Sequence, residues 1–256
     1  MARVQSGVLS PPRIISILVL LLAWVLLTLV FSPTIIPRPL DVFRVSWENV
    51  LSGDAAFHVG KTILRVVLGM ALAMVLGTII GVSMGLSRRG EEFFETWVMV
   101  GLTIPAVVYG IIFLLWFGLN DVAAILAIGV TAFPAVAINL WQGVKDIDMK
   151  LVRMAQAFRV PRRGVIRKVI LPQTVPYILA ATRYALGISW KICTTIELIG
   201  MSSGVGYQLH YWFGFFNMTQ VFAWTLTFVL VLFVIEYLLI NPFERQATAW
   251  RPAVQV

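Results

Sequence analysis

Along the chain, long apolar runs alternate with short polar intervals. A hydrocarbon core of about 30 Å is crossed by about 20 apolar residues of helix. Six runs meet that length: Ile14–Phe31, Gly60–Leu86, Phe94–Phe117, Val122–Trp141, Val175–Gly200 and Val221–Ile240. The first is longer than the apolar stretch of a secretory signal, and no A-x-A cleavage pattern follows it. It is therefore expected to be retained as the first helix. The expected fold class is an all-α integral membrane protein with six transmembrane helices. The soluble intervals are short, so residues 1–256 are expected to form one transmembrane domain.

Composition agrees with this pattern. Hydrophobic residues make up 59% of the 256 positions and charged residues 12%. A soluble domain is nearer 45–50% apolar and about 25% charged, so an ordinary cytosolic enzyme is excluded. The single Cys193 excludes an intrachain disulfide and a Cys-rich metal site.

The net charge of +8 would point to nucleic acid in a soluble domain. Here the 20 Lys and Arg residues have a topological reading. With the N-terminus inside, the inner segments hold Arg3, Arg13, Arg88, Arg89, Arg245 and Arg251. They also hold a cluster of Lys145, Lys150, Arg153, Arg159, Arg162, Arg163, Arg167 and Lys168. Arg38 and Arg44 fall outside, with Lys61 and Arg65 at the outer mouth of the second helix. The excess of inner positive charge predicts that both termini and the basic loop are cytoplasmic. No nucleic-acid partner is needed to explain the charge.

The intervals carry further signals. In 32–59, Leu40, Phe43, Trp47 and Val50 fall at helical spacing, predicting an interfacial amphipathic helix after Pro39. In the second run, Gly69, Ala73, Gly77, Gly81 and Gly85 recur every fourth residue. That places a ridge without bulk on one helix face, which allows close helix packing. The interval 201–220 combines glycines with Tyr211, Trp212, Phe213, Phe215 and Phe216, as suits a membrane interface. His58 and His210 stand apart from any metal-ligand spacing, so no metal is expected. There is no phosphate-binding G-x-x-x-x-G-K loop, so any energy source must come from another chain or from an ion gradient.

The longest inner interval, 146–172, reads DIDMKLVRMAQAFRVPRRGVIRKVILP. Helical spacing over 149–158 is broken by Pro161. A second amphipathic stretch, 162–171, is closed by Pro172. Charge alone does not explain the ordered apolar positions. A helical pair with an apolar knob of Ala155 and Phe158 suits a groove on a soluble partner.

This interval resembles the EAA loop of ABC-importer membrane subunits, E-A-A-x3-G-x9-I-x-L-P. Aligned on Leu171 and Pro172, it puts Arg153 at the Glu, Met154 and Ala155 at the alanines, Arg159 at the Gly and Val169 at the Ile. The stretches IIPRPLDV, GVSMGLSRR, IPAVVYGIIFLLWFG and LPQTVPYILAATRYALGISWKICTTIELIGMSSGVGYQL are also similar to permeases of the nitrate/sulfonate/taurine/bicarbonate group. The resemblance covers about residues 30–245. It implies a permease that pairs with a second copy, two cytoplasmic ATPase subunits holding ATP and Mg2+, and an extracytoplasmic solute-binding protein. It also implies that Arg153, Ala155, Phe158, Arg159, Pro161, Arg162, Leu171 and Pro172 form the ATPase-coupling element. The location it implies is a bacterial plasma membrane, crossed several times. The chain itself would hold no cofactor and catalyse no bond chemistry.

In the fifth run, Arg183, Gly187, Trp190, Thr194 and Glu197 share one helical face, with Lys191 on its flank. A charged side chain at mid-membrane costs about 2.5–3.5 kcal/mol on an insertion scale. The face must meet protein or a hydrated cavity. Two roles stay open: ion pairs that hold the bundle, or a translocation path lined by Arg183, Trp190, Lys191, Thr194 and Glu197. The expected function is alternating-access import of a small solute, an anion such as a sulfonate, nitrate or bicarbonate. The alternative is a stand-alone ion-coupled carrier, which would have no use for the loop 146–172.

Overall fold

The computed structural model describes residues 11–237 and residue 242. Arg3, Arg245 and Arg251, and the last residues of the sixth expected span, lie outside the described residues. The elements are α1 (Pro11–Val30), α2 (Pro39–Leu51), α3 (Asp54–Leu86), α4 (Arg88–Thr103), α5 (Ala106–Phe117) and α6 (Asp121–Lys145). They continue with α7 (Met149–Ala157), α8 (Arg162–Val165), a π-helical turn (Ile166–Ile170), α9 (Leu171–Gly200), α10 (Val205–Gly214) and α11 (Met218–Ile235). No strand occurs among the described residues.

Three helices, α3, α6 and α11, are each long and apolar enough to cross a membrane. The expected third span, Phe94–Phe117, is not one straight helix. It divides into α4 and α5, bent by 95°. The cause is Pro105, whose ring disfavours helical geometry in the residue before it. Ile104 accordingly adopts φ −70°, ψ 125°. The expected fifth span begins earlier than predicted. Pro172 does not close the second loop stretch but sits in the first turn of α9. The preceding π turn joins α8 to α9 through residues in right-handed helical conformation. The wider hydrogen-bond register of a π turn is one way a helix absorbs a residue lacking an N–H.

The centre of the fold is the pairing of α3 with α6. Gly69, Ala73, Gly77 and Gly81 are buried, and the ridge they form faces α6. A Cβ on Gly69 would lie 2.6 Å from the Ile128 Cβ, and one on Gly77 would lie 2.5 Å from the Val136 Cβ. On Gly81 it would meet the Ala137 carbonyl oxygen at 2.4 Å, and on Gly85 the Val144 Cβ at 2.4 Å. The fit is reciprocal, since a Cβ on Gly129 of α6 would lie 2.5 Å from Leu72 Cδ2. On its other side α6 packs against α9, where Val136 and Leu140 meet Ala181 and Ala185.

Helix α2 starts at Pro39, as its spacing predicted, and docks by its small and polar face. Ser46 Oγ lies 3.3 Å from the Ala223 carbonyl, and Asn49 Nδ2 donates to Gln220 Oε1 at 3.0 Å. Leu40, Phe43, Trp47 and Val50 point away from the protein.

Candidate functional site

Two regions combine chemistry with position: a charged centre between α3, α6, α9 and α10, and the segment 146–172.

The charged centre is built around Arg65, whose side chain is 1% exposed. Its Nε and Nη2 donate to Asp121 Oδ1 at 2.9 and 2.7 Å. Nη2 also donates to Ser203 Oγ at 2.8 Å, and Nη1 to the Ser203 carbonyl at 2.7 Å. Nη1 reaches Glu197 Oε1 at 2.6 Å. A guanidinium has five N–H donors, and five bonds are present. Lys61 pairs with Asp121 Oδ2 at 3.1 Å. Two positive and two negative groups therefore neutralise each other, and each buried charge has a partner.

The Glu197 carboxylate also takes the Thr62 hydroxyl, 2.9 Å from both oxygens, and the Gly206 N–H at 3.0 Å. Thr62 Oγ1 in turn accepts the Val205 N–H, and His58 Nδ1 accepts the Gly204 N–H. Glu197 and its neighbours thus hold the N-terminus of α10, where free amides and the helix dipole favour an anion. The approach is close enough to require glycine. A Cβ at Gly204 would lie 2.2 Å from Glu197 Cδ, and one at Gly206 would lie 2.2 Å from the Thr194 carbonyl.

The stripe expected on the fifth run divides. Glu197 and Trp190 are buried inside the chain's own bundle, and Trp190 meets Phe228 edge to face. Thr194 is partly buried and bonds back to the Trp190 carbonyl. Arg183 pairs with Glu236 at 2.6 Å, tying α9 to the end of α11. Tyr184, Gly187 and Lys191 lie on the outward face of α9, and a Cβ on Gly187 would meet open space. The single face inferred from spacing is therefore two faces, one turned inward and one outward.

In 146–172, α7 is capped by Asp148, which accepts the Lys150 N–H. Ala155 is not part of an exposed knob. It is 7% exposed and packs with Val152 and Val165, flanked by Ile147, Val160, Val169 and Ile170. The exposed apolar groups are Met149, Leu151, Met154, Ile166 and Phe158, the last 78% exposed. Arg153, Arg159 and Arg162 are exposed, as is Pro161, while Leu171 is exposed and Pro172 partly buried.

Helix α7 ends in a motif that explains the Gly position of the EAA pattern. The Val160 N–H bonds the Ala155 carbonyl at 3.0 Å and the Arg159 N–H bonds the Gln156 carbonyl at 2.9 Å. That pair of bonds defines a Schellman cap, whose residue after the C-cap is left-handed and usually Gly. Here that residue is Arg159, with φ 53°.

Lys61, Arg65 and Asp121 were not singled out from sequence as partners of Glu197. The available signal was depth. Arg65 lies five residues inside the start of its run, and Glu197 lies three residues inside the end of its own.

Comparison with known proteins places this geometry. Residues 73–243 match the family described as binding-protein-dependent transport system inner membrane component. A putative aliphatic sulfonates transport permease protein of Bacillus subtilis is 34% identical over 222 residues, covering 87% of this chain and 80% of that protein. The taurine transport system permease protein of Escherichia coli is 28% identical over 238 residues, covering 91% and 86%. In fold, the chain is similar to the MetNI methionine ABC transporter in an inward-facing conformation. The TM-score is 0.64 at 20% identity, over 75% of this chain and 94% of that one.

Proposed function

The chain belongs to the inner-membrane components of binding-protein-dependent transport systems, and from that membership we propose a specific arrangement and solute for this ABC-importer permease. It crosses the inner membrane six times with both termini in the cytoplasm, the bent pair α4–α5 forming the third crossing. Two copies pair across a hydrated path. Two cytoplasmic ATPase subunits, holding ATP and Mg2+, engage α7 and α8, and an extracytoplasmic binding protein delivers the solute. Closure of the ATPase pair drives alternating access by rigid movement of packed helices. Bond chemistry belongs to the ATPases. The stand-alone carrier is set aside, because this family works with a binding protein.

The solute is a small organic anion of the sulfonate type. Lys191 carries this reading. It lies in the outer half of α9 on the outward face, beside the open space at Gly187. An ammonium at that depth is stable only in water or opposite an anion. The names of the sulfonate and taurine permeases point to the same class of solute.

The test is uptake of radiolabelled taurine and of a simple alkanesulfonate in proteoliposomes holding the permease, its ATPase and its binding protein. Lys191→Met keeps bulk and removes charge. It is expected to assemble as wild type and lower uptake at least tenfold. Normal uptake by assembled Lys191→Met would reject both the path position and the anionic solute.

A further inference from the structure

A cavity of about 410 Å³ opens beside the charged centre, between α2, α3, α10 and α11. Its lining combines four aromatic residues, Tyr207, Tyr211, Trp212 and Trp224, with Asp54, His58, Asn49, Ser202 and Gln208. Nothing in the transport cycle proposed above uses it. We propose that it binds an organic ammonium group, carried by a lipid headgroup or by a free solute.

The charge in the cavity selects a cation. Asp54 accepts the Ser52 hydroxyl at 2.9 Å, and no Lys or Arg lines the cavity among the described residues. His58 is neutral, since its Nδ1 accepts the Gly204 N–H and only the deprotonated nitrogen can accept. Its Nε2 then carries the hydrogen and donates to Gln208, 2.7 Å away, with the Gln208 amide turned to present its oxygen to the ring. The amides at the start of α10 would otherwise attract an anion. They are already taken by His58, Thr62 and Glu197. A carboxylate is thus the one net charge on the wall.

The rings select an organic ammonium over a metal ion. They form a connected surface: His58 stacks on Tyr207 at 5.9 Å and meets Trp224 edge to face at 5.6 Å. Tyr207 lies 6.0 Å from Tyr211, and Tyr211 lies 5.2 Å from Trp212. Ring faces attract ammonium groups, and walls of several rings recognise substituted ammonium in particular. A hydrated divalent ion would instead need several oxygen ligands, and Asp54 is the only carboxylate lining the cavity among the described residues. From α2 the cavity takes Asn49, on the docked face, and the opposite face of the same helix is apolar and outward, as suits a helix lying at a lipid surface.

The complete transporter, purified and placed in phosphatidylglycerol nanodiscs, is titrated with tetramethylammonium chloride by calorimetry, with sodium acetate as the anion control. In a second arm, nanodiscs containing phosphatidylethanolamine are analysed by native mass spectrometry for retained lipid. Asp54→Asn and Tyr211→Leu are measured alongside, with the ligand-free melting midpoint as the folding control. Wild type is expected to bind tetramethylammonium, retain phosphatidylethanolamine, or both, and each variant to weaken that binding roughly tenfold at an unchanged midpoint. Binding of the soluble ammonium alone identifies a free solute as the source, and lipid retention alone identifies the headgroup. No binding in either arm, equal binding by both variants, or acetate bound as tightly as tetramethylammonium would overturn the proposal.

Discussion

Removing Arg65 should be far more damaging than changing any exposed charge. Arg65→Met keeps much of the apolar stem and deletes five hydrogen bonds to Asp121, Glu197 and Ser203. Asp121 retains Lys61, but Glu197 is left buried with only neutral donors. Leaving one charge of a buried pair uncompensated costs about 3–5 kcal/mol. Scaled to a chain of this size, that is a loss of roughly 6–20 °C in melting midpoint. Glu197→Gln should cost less, about 1.5–3 kcal/mol. Its amide oxygen still accepts the Gly206 N–H, while Arg65 keeps Asp121 and Ser203.

The assay is the melting midpoint and monodisperse yield of the purified permease complex for both single variants and for Arg65→Met/Glu197→Gln. If the two groups act on each other, the double variant loses less than the two singles together. A wild-type midpoint in Arg65→Met, or strictly additive losses, would show that the pair contributes nothing to the bundle.

Three further outcomes follow from the geometry. Arg159→Gly removes a left-handed non-glycine conformation worth about 1–2 kcal/mol, partly offset by the greater freedom of glycine when unfolded; amide exchange across α7 should slow, and unchanged exchange would contradict the cap assignment. Gly81→Leu drives a side chain into the Ala137 backbone at 2.4 Å, so it should abolish assembly as judged by size exclusion, and wild-type yield would refute the tight contact. Phe158→Asp leaves the Val152, Ala155 and Val165 cluster intact and should abolish stimulation of the partner ATPase by loaded binding protein, with retained stimulation contradicting docking through Phe158.

How much was legible depends on whether a feature is set within one helix or between two. The small-residue ridge is a property of one helix, and its four-residue spacing placed it correctly against a neighbour. The bend between α4 and α5 was marked by Pro105, yet apolar length says nothing about direction, and one run was read as one span. The knob failed for a different reason. Spacing over 149–158 put Ala155 and Phe158 together in one knob, but the following stretch presents Val165 and Val169, which need cover of their own. Val152 and Ala155 supply it, so α7 turns these two inward and leaves Leu151, Met154 and Phe158 outside. The stripe on α9 shows the same limit. Helical phase joined Arg183, Trp190, Thr194 and Glu197 with Lys191 on the flank, while packing took Trp190 and Glu197 inward and left Lys191 outside.

The charges within the apolar runs are sorted by depth and partner, and that sorting bears on function. Arg65 and Glu197 enter from the same side at similar depth, and Asp121 opens α6 beside Arg65, so their charges cancel. Arg183 meets Glu236 at the far end of α11. Both sets hold helices to one another within a single chain. A cycle that moves helices as packed blocks has reason to keep the Arg65–Glu197 set closed, because opening it would strand buried charge. Lys191 differs: among the described residues no acidic group pairs with it, and it faces away from the bundle. Its compensation has to come from outside the chain, from water, a second copy or a passing anion. On the proposed reading, the charge that the fold leaves unmatched is the one to follow into the path, and the matched ones hold the bundle.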